Sequence, residues 1–126
     1  MQAFARSSSR PWSSELVLLL IGAHMLYVVM LTYVGPADEV QAHLDSHRDW
    51  LIEHARAGRI LVAGPLEPRT GGLVLAHCSS RTELDGMLAE DSFYVHRLVD
   101  YDIRCFNPAL RAAAFPEQWA GAAKPT

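Results

Sequence analysis

Six histidines stand out in a chain of 126 residues, and two of them, His43 and His47, form an HxxxH pair. Residues four apart lie on the same helical face, so this pair could offer two nitrogen ligands to a metal ion. A site needs at least one further ligand, for which His77, Asp91 and His96 are the candidates. Because no HExxH motif surrounds the pair, we expect no metal, and solvated side chains explain the spacing more simply.

His47 differs from the other histidines because it interrupts an apolar stripe on a predicted helix. The stripe recurs every three or four residues and comprises Val40, Leu44, Leu51 and Ala55. From the residues alone, a core histidine with its ring hydrogen-bonded is the simpler interpretation. Asp91 has an equally structural interpretation, since aspartates in loops commonly accept hydrogen bonds from nearby backbone N–H groups.

The elements that must position these residues follow a β-α-β-β-α-β order. An apolar run from Met25 ends at Gly35-Pro36, and the helix that follows is predicted to stop at Gly58. A second helix is predicted from a cap at Ser79 or Ser80 to a loop at residues 90–94. We predict strands at residues 25–33, 59–65, 73–78 and 97–106, and the first helix at residues 37–57.

This order is the split βαβ arrangement of an α+β, ferredoxin-like fold, with an antiparallel sheet and helices on one face. The last strand alternates cleanly, which puts Val99, Tyr101 and Ile103 on one face and Asp100 and Asp102 on the other. A small open sheet leaves its second face uncovered. A second copy of the chain is the simplest cover, so we expect a homodimer.

Composition argues against nucleic acid as a partner, because the formal net charge is −3 and the basic residues are scattered. The two cysteines, Cys78 and Cys105, have neither CxxC spacing nor the number that a disulfide framework needs. Each falls in a predicted strand, where a cysteine acts as a small buried apolar residue. We therefore expect a cytoplasmic protein.

Residues 1–24 are interpreted as an extension upstream of the fold. The nearly continuous apolar run at residues 16–34 is long enough for a membrane span, and residues 1–23 also resemble a signal peptide. Glu15 beside that run, and the β-branched and aromatic residues after Met25, favour a buried strand instead. We predict a domain at residues 25–107 and a tail at residues 108–126 that is a short helix or disordered. Export is the first alternative and a membrane helix the second.

Four stretches make the sequence resemble the YciI family, also called YCII-related domains. In order along the chain they are Met25–Val29, His47 placed eleven residues before Gly58, Gly58–Pro65 with the pattern GR-x-L-x-A-G-P, and Ala89–Phe93. The chain departs from the family at two positions. Ser92 stands where a proline is usual, and Leu44 stands where members often have arginine.

The resemblance implies a ferredoxin-like fold that pairs into a dimeric α/β barrel, with a site built on His47 and Asp91. His47 would be the general base and Asp91 would fix its tautomer. The substrate would contact four residues of the matching stretches: Gly64, Pro65, Ser92 and Phe93. No cofactor is implied.

Among relatives with a defined reaction is a dehydrochlorinase that converts a chlorinated hydroxyhydroquinone to a hydroxyquinone. The resemblance thus implies a cofactor-free lyase or isomerase of small aromatic or cyclic metabolites, chlorinated ones included. One alternative is a non-catalytic dimeric module that binds a small molecule, in which His47 packs in the core and Asp91 caps a turn. A metal-dependent enzyme is the third hypothesis.

Overall fold

The computed structural model describes residues 25–126, so the predicted leader at residues 1–24 lies outside the described residues. The main elements are β1 Leu26–Tyr33, α1 Ala37–Ala42, α2 Leu44–Arg56, β2 Ile60–Pro65, β3 Gly71–His77, α3 Arg81–Ala89, α4 Ser92–Val95 and β4 Val99–Phe106. Within residues 25–126, no helix is long and apolar enough to cross a membrane. The apolar run after Met25 is a strand, as its β-branched residues predicted.

The four long strands form one antiparallel sheet in the order β2-β3-β1-β4. In the centre of β1, Val29 pairs with Val74 of β3 on one side and with Ile103 of β4 on the other. Gly71 lies where β3 passes β1 so closely that a Cβ atom there would overlap the carbonyl oxygen of Leu31. The predicted α+β, ferredoxin-like fold is confirmed.

The core lies between the helices and one face of this sheet. Alternate residues of β1, namely Tyr27, Val29 and Leu31, are buried there. The helices contribute Trp50 from α2, and Leu84, Met87 and Leu88 from α3. The other face carries apolar residues that a single chain leaves half-buried or exposed: Val28, Met30, Val62, Leu73 and Leu75.

The predicted first helix is divided at His43, whose backbone torsions of −106° and 11° separate α1 from α2. The stop at Gly58 is as predicted, because this residue has a φ of 80°, which favours glycine. The buried face of α2 is centred on Trp50 and His54, whereas Ala55, predicted to face the core, is exposed. Burying an indole removes far more apolar surface from water than burying a methyl group, and this difference sets the rotation of the helix.

The prediction of a loop at residues 90–94 is wrong in part, because the single helical turn α4 begins within this segment. Asp91 is the N-cap of that turn, and its Oδ1 accepts a hydrogen bond of 3.1 Å from the backbone N–H of Phe93. Capping of this kind satisfies a donor that the first turn of a helix leaves unpaired. Arg97, with a φ of 57°, ends the turn and leads into β4.

Ser80 caps α3, as expected, by accepting a hydrogen bond from the backbone N–H of Glu83. The Glu83 carboxylate reaches back to the backbone N–H of Ser79 at 2.6 Å, and this hydrogen bond lowers the pKa of Glu83. Of the two cysteines, Cys78 is buried as expected, but Cys105 is exposed. Cys105 is near the end of the edge strand β4, where the core no longer covers it.

Residues 108–126 form a small substructure after β4. A two-residue strand, β5 Leu110–Arg111, pairs in parallel with β6 Lys124–Pro125. A single 3-10 turn at Glu117–Trp119 lies between them, and Ala120 and Ala123 are buried. The segment was predicted to be a short helix or disordered, and it contains one 3-10 turn beside a pair of two-residue strands.

Candidate active site

A histidine from α2 and an aspartate from the start of α4 meet beneath the helices. Nδ1 of His47 lies 2.7 Å from Oδ1 of Asp91, although 44 residues separate them along the chain. The Asp91 side chain is fully buried, and 12% of the His47 side chain is exposed. The imidazole is therefore the part of this pair that a small molecule can reach.

The Asp91 carboxylate is held by three donors. Oδ1 faces His47 and the Phe93 N–H, and Oδ2 accepts a hydrogen bond of 3.1 Å from the hydroxyl of Tyr101 on β4. Burial and then the neighbouring Asp91 carboxylate raise the pKa of Tyr101, so this phenol stays a donor. Because an ionised carboxylate only accepts, a neutral His47 ring facing it would carry its proton on Nδ1, which would leave the lone pair on Nε2.

Aromatic packing fixes the plane of the imidazole. The His47 ring stacks on Phe93, with centroids 4.0 Å apart and planes 11° apart. On α2 it also stacks beside the indole of Trp50 at 5.6 Å, and the indole N–H donates to the carbonyl of Met87 at 2.9 Å. The ring therefore has little freedom to rotate away from Asp91, and its available nitrogen is held in one orientation.

His47 lines a cavity of about 460 Å³ between the α1–α2 segment and strands β1, β2 and β3. Its wall is mainly apolar, with Phe93 beside His47 and with Leu44 and Leu51 of α2. A cavity of this size with a few convergent polar groups is typical of a small-molecule site. With a base at its edge, it suits proton transfer to or from a bound molecule.

The six residues predicted for the site occupy three kinds of position. Four of them line the cavity: His47, Gly64, Pro65 and Phe93. Asp91 lies behind His47 rather than at the cavity wall. Ser92 is not among the lining residues, and its hydroxyl instead contacts Ser46 Oγ at 2.7 Å and the carbonyl of His43 at 3.3 Å.

Three residues at or near the site were absent from the sequence prediction. The sequence placed Tyr101 on one face of the last strand but gave it no role in the site. Its place on that face was the one indication that it could contact Asp91. Arg48 and Arg69 line the cavity, and nothing in their local sequence distinguishes them from solvated arginines. Cavity walls are built from distant segments, so spacing along one segment does not reveal them.

The HxxxH pair does not converge with a third ligand within residues 25–126. The His43 ring packs against His96 with centroids 3.9 Å apart, and His47 is bonded to Asp91 through Nδ1. The one group of three donors that does converge in that range comprises Glu53, His54 and Glu90. There Nε2 of His54 lies 2.9 Å from Oε1 of Glu90, while Arg59 approaches Nδ1 at 3.4 Å.

Comparisons with known proteins agree on the fold. The family model described as YCII-related domain matches residues 25–107. No curated protein is significantly similar in sequence. One similar solved structure is 5-chloro-2-hydroxyhydroquinone dehydrochlorinase from Burkholderia phenoliruptrix AC1100 in complex with 2,5-dihydroxybenzoquinone. It is 17% identical, with a TM-score of 0.58 over 67% of this chain and 95% of that chain.

Proposed function

Because the chain belongs to the family of YCII-related domains, we propose that it is a cofactor-free lyase or isomerase of small aromatic or cyclic metabolites. The observation that carries this proposal is the contact of 2.7 Å between His47 and a fully buried Asp91 at the edge of a cavity. Packing alone does not require a histidine with a free nitrogen at a cavity. Proton transfer by a positioned base requires both.

In the proposed reaction, Nε2 of His47 takes a proton from the bound molecule. In a dehydrochlorination, the chlorinated quinol first takes its keto form, in which the proton of the hydroxyl beside the chlorinated carbon has moved to that carbon. Nε2 of His47 then takes the proton of a second, conjugated hydroxyl, whose electrons form a C=O bond and shift the ring double bond, and chloride leaves from the tetrahedral carbon to give the hydroxyquinone. The imidazolium that forms remains hydrogen-bonded to Asp91, whose negative charge stabilises it. General base catalysis of this kind contributes about 10²–10⁴ in rate, enough for an activated chlorinated quinol.

Dehydrochlorination is the specific reaction that we propose first, since the similar solved structure is an enzyme of that name. The test is chloride release from chlorinated hydroxyhydroquinones, followed together with the absorbance of the quinone product. We expect release by the unaltered protein and none by His47→Gln, with the melting temperature of that variant nearly unchanged. No release by the unaltered protein would sink the dehydrochlorinase proposal, and release by His47→Gln would sink the role of the base.

A non-catalytic binding module is the second candidate, favoured by the fact that Asp91 also caps α4 through the Phe93 N–H. In this candidate the His47–Asp91 pair serves only the fold, and the cavity that His47 lines binds a small molecule without converting it. It would gain support if a ligand bound in the cavity with equal affinity to the unaltered protein and His47→Gln and neither protein converted it.

We further propose that the chain acts as a homodimer through the open face of the sheet. Val62 is 61% exposed there and neighbours the half-buried Leu75 across the β2–β3 pairing. Sedimentation should show a dimer, and Val62→Lys should dissociate it. The matched control is Ile52→Lys, since Ile52 is 48% exposed but lies on α2. A monomeric unaltered protein would end this proposal.

A further inference from the structure

The cavity beside His47 has an unusual charge for this chain. Acidic residues outnumber lysine and arginine in the sequence by 14 to 11. Nevertheless, the charged residues among those that line the cavity are Arg48 and Arg69, and no carboxylate lines it within residues 25–126. Both arginines are exposed, so their charges lie where the cavity meets solvent and can attract an anionic ligand to it.

The two arginines reach the cavity from different segments. Arg48 follows His47 directly on α2, and Arg69 belongs to the turn between β2 and β3. Within the described part of the chain, Arg48 has no ion-pair partner. Arg69 has only a contact of 3.6 Å with Glu67, in which both side chains are largely exposed. Exposed pairs of this kind contribute little, so a ligand can recruit the guanidinium at small cost.

From this arrangement we infer that the cavity selects a ring compound that carries an anionic oxygen group, either a carboxylate or an ionised ring hydroxyl. The anionic group would be bound by Arg48 and Arg69, and the ring would pack against the apolar wall near Phe93. Guanidinium groups bind paired or delocalised anionic oxygens through charge-assisted hydrogen bonds. This inference deepens the proposed function and rests on it for the role of the cavity, but it makes a separate claim about charge.

The test compares ligands that share a ring skeleton and differ in charge by isothermal titration calorimetry. For the carboxylate, the pair is 2,5-dihydroxybenzoate and 2,5-dihydroxybenzamide. For the ionised ring hydroxyl, the pair is 2,5-dihydroxybenzoquinone and its dimethyl ether. We expect the anion of at least one pair to bind roughly tenfold more tightly than its neutral partner, and the preference to weaken as ionic strength rises.

Variants then assign the preference to the two arginines. Arg48→Gln and Arg69→Gln should each weaken binding of the preferred anion about tenfold and change the affinity of its neutral partner less than about twofold. Arg56→Gln is the matched control, because Arg56 is also an exposed arginine of α2 but does not line the cavity. It should leave all affinities unchanged.

Three outcomes would overturn the inference. These are equal affinities for the anionic and neutral partners of both pairs, no binding of either anion at millimolar concentration, and an equal loss from Arg56→Gln and Arg48→Gln. Failure of the proposed function gives a different result. If the anion preference depends on the arginines but no ligand is converted, the proposed function fails and this inference stands. Turnover that depends on His47 but shows no anion preference would sink this inference alone.

Discussion

The hydroxyl of Tyr101 on the last long strand donates a hydrogen bond of 3.1 Å to Oδ2 of Asp91. The other oxygen of this carboxylate is already occupied by His47 and by a backbone N–H. Tyr101 therefore supplies the hydrogen-bond donor for the second oxygen of a carboxylate that has no exposed surface. It fixes the orientation of the carboxylate, and through it the ring of His47, without touching the cavity itself.

Replacing Tyr101 by phenylalanine should leave Oδ2 of Asp91 buried without its donor. We expect the free energy of unfolding to fall by about 1–2 kcal/mol, since an unsatisfied buried acceptor costs roughly that amount. Turnover should fall through kcat more than KM, because the altered group positions the base rather than the substrate. Tyr94→Phe is the control, since Tyr94 stacks at 6.0 Å from Tyr101 but is half exposed. If both variants had equal effects, Tyr101 would not be the residue that positions Asp91 and His47.

The tautomer of His47 can be measured without knowledge of the substrate. Because Nδ1 faces a carboxylate at 2.7 Å, the neutral ring should carry its proton on Nδ1. A two-dimensional ¹⁵N NMR spectrum that correlates the ring nitrogens with the carbon-bound protons distinguishes the two tautomers. A signal from a protonated Nε2 in the neutral ring would contradict the assignment of Nε2 as the base.

Two substitutions of Asp91 separate its capping role from its charge. Asparagine retains a cap for α4, because its side-chain oxygen still accepts from the backbone, but it removes the negative charge next to His47. We expect Asp91→Asn to lower turnover by about 10²–10⁴ with a modest loss of stability. Asp91→Ala removes the cap as well and leaves three donors unpaired, so its unfolding free energy should fall by roughly 3 kcal/mol or more. Chemical denaturation and kinetics measure the two effects, and similar stability of both variants would disprove the capping role.

Ser92→Pro should be tolerated. Ser92 is the first residue of α4, where proline is favoured because its backbone N–H has no partner within the helix. Asp91 precedes it with torsions of −70° and 130°, a conformation that a following proline permits. The substitution removes the contacts with Ser46 and His43. We expect a change of unfolding free energy below about 1 kcal/mol and an unchanged His47 tautomer, and a larger loss would show that those contacts matter.

The two cysteines should differ in reactivity. Burial raises the pKa of Cys78 to about 11, whereas Cys105 is exposed. At pH 8 an alkylating reagent should label Cys105 first and leave Cys78 unmodified until the protein unfolds. Peptide mass spectrometry after timed labelling provides the measurement, with a Cys105→Ser variant as the control. Early labelling of Cys78 in that variant would contradict its burial.

The same raised pKa predicts how Cys78 affects stability at high pH. The folded state holds the thiol proton more tightly than the unfolded state, whose pKa is near the ordinary 9.0. This contribution to stability is complete below about pH 9 and is lost as the pH rises towards 11. Denaturation of Cys78→Ala should therefore show a smaller decline over that interval than the unaltered protein.

Sequence patterns predicted the order of the long elements because each has a local signal: the run after Met25, the stop at Gly58 and the alternation after Arg97. They did not predict α4, whose single turn depends on the Asp91 cap rather than on a repeated apolar pattern. The rotation of α2 depended on the burial of Trp50 against α3. Helical spacing alone does not show which of two neighbouring faces will be covered.

Only part of the candidate site was predicted from the sequence, because its residues are far apart along the chain. The family resemblance proposed His47 and Asp91 as partners, but no spacing rule relates residues 44 apart in sequence. Tyr101 lies ten residues beyond Asp91 and reaches it only because β4 returns beside β1. Arg48 and Arg69 can be recognised as cavity residues only in the folded chain, because the segments that form the cavity are distant in sequence.

The double use of Asp91 has a consequence for the evolution of this site. Since its carboxylate both caps α4 and bonds to His47, selection for folding alone would retain an aspartate at this position after activity was lost. The His47 imidazole contacts Asp91 but caps no helix in residues 25–126, so another side chain that donates to Asp91 could replace it without loss of the fold. Among descendants of a common ancestor, we expect His47 to be replaced first in lineages that abandon the reaction, while Asp91 persists as a remnant.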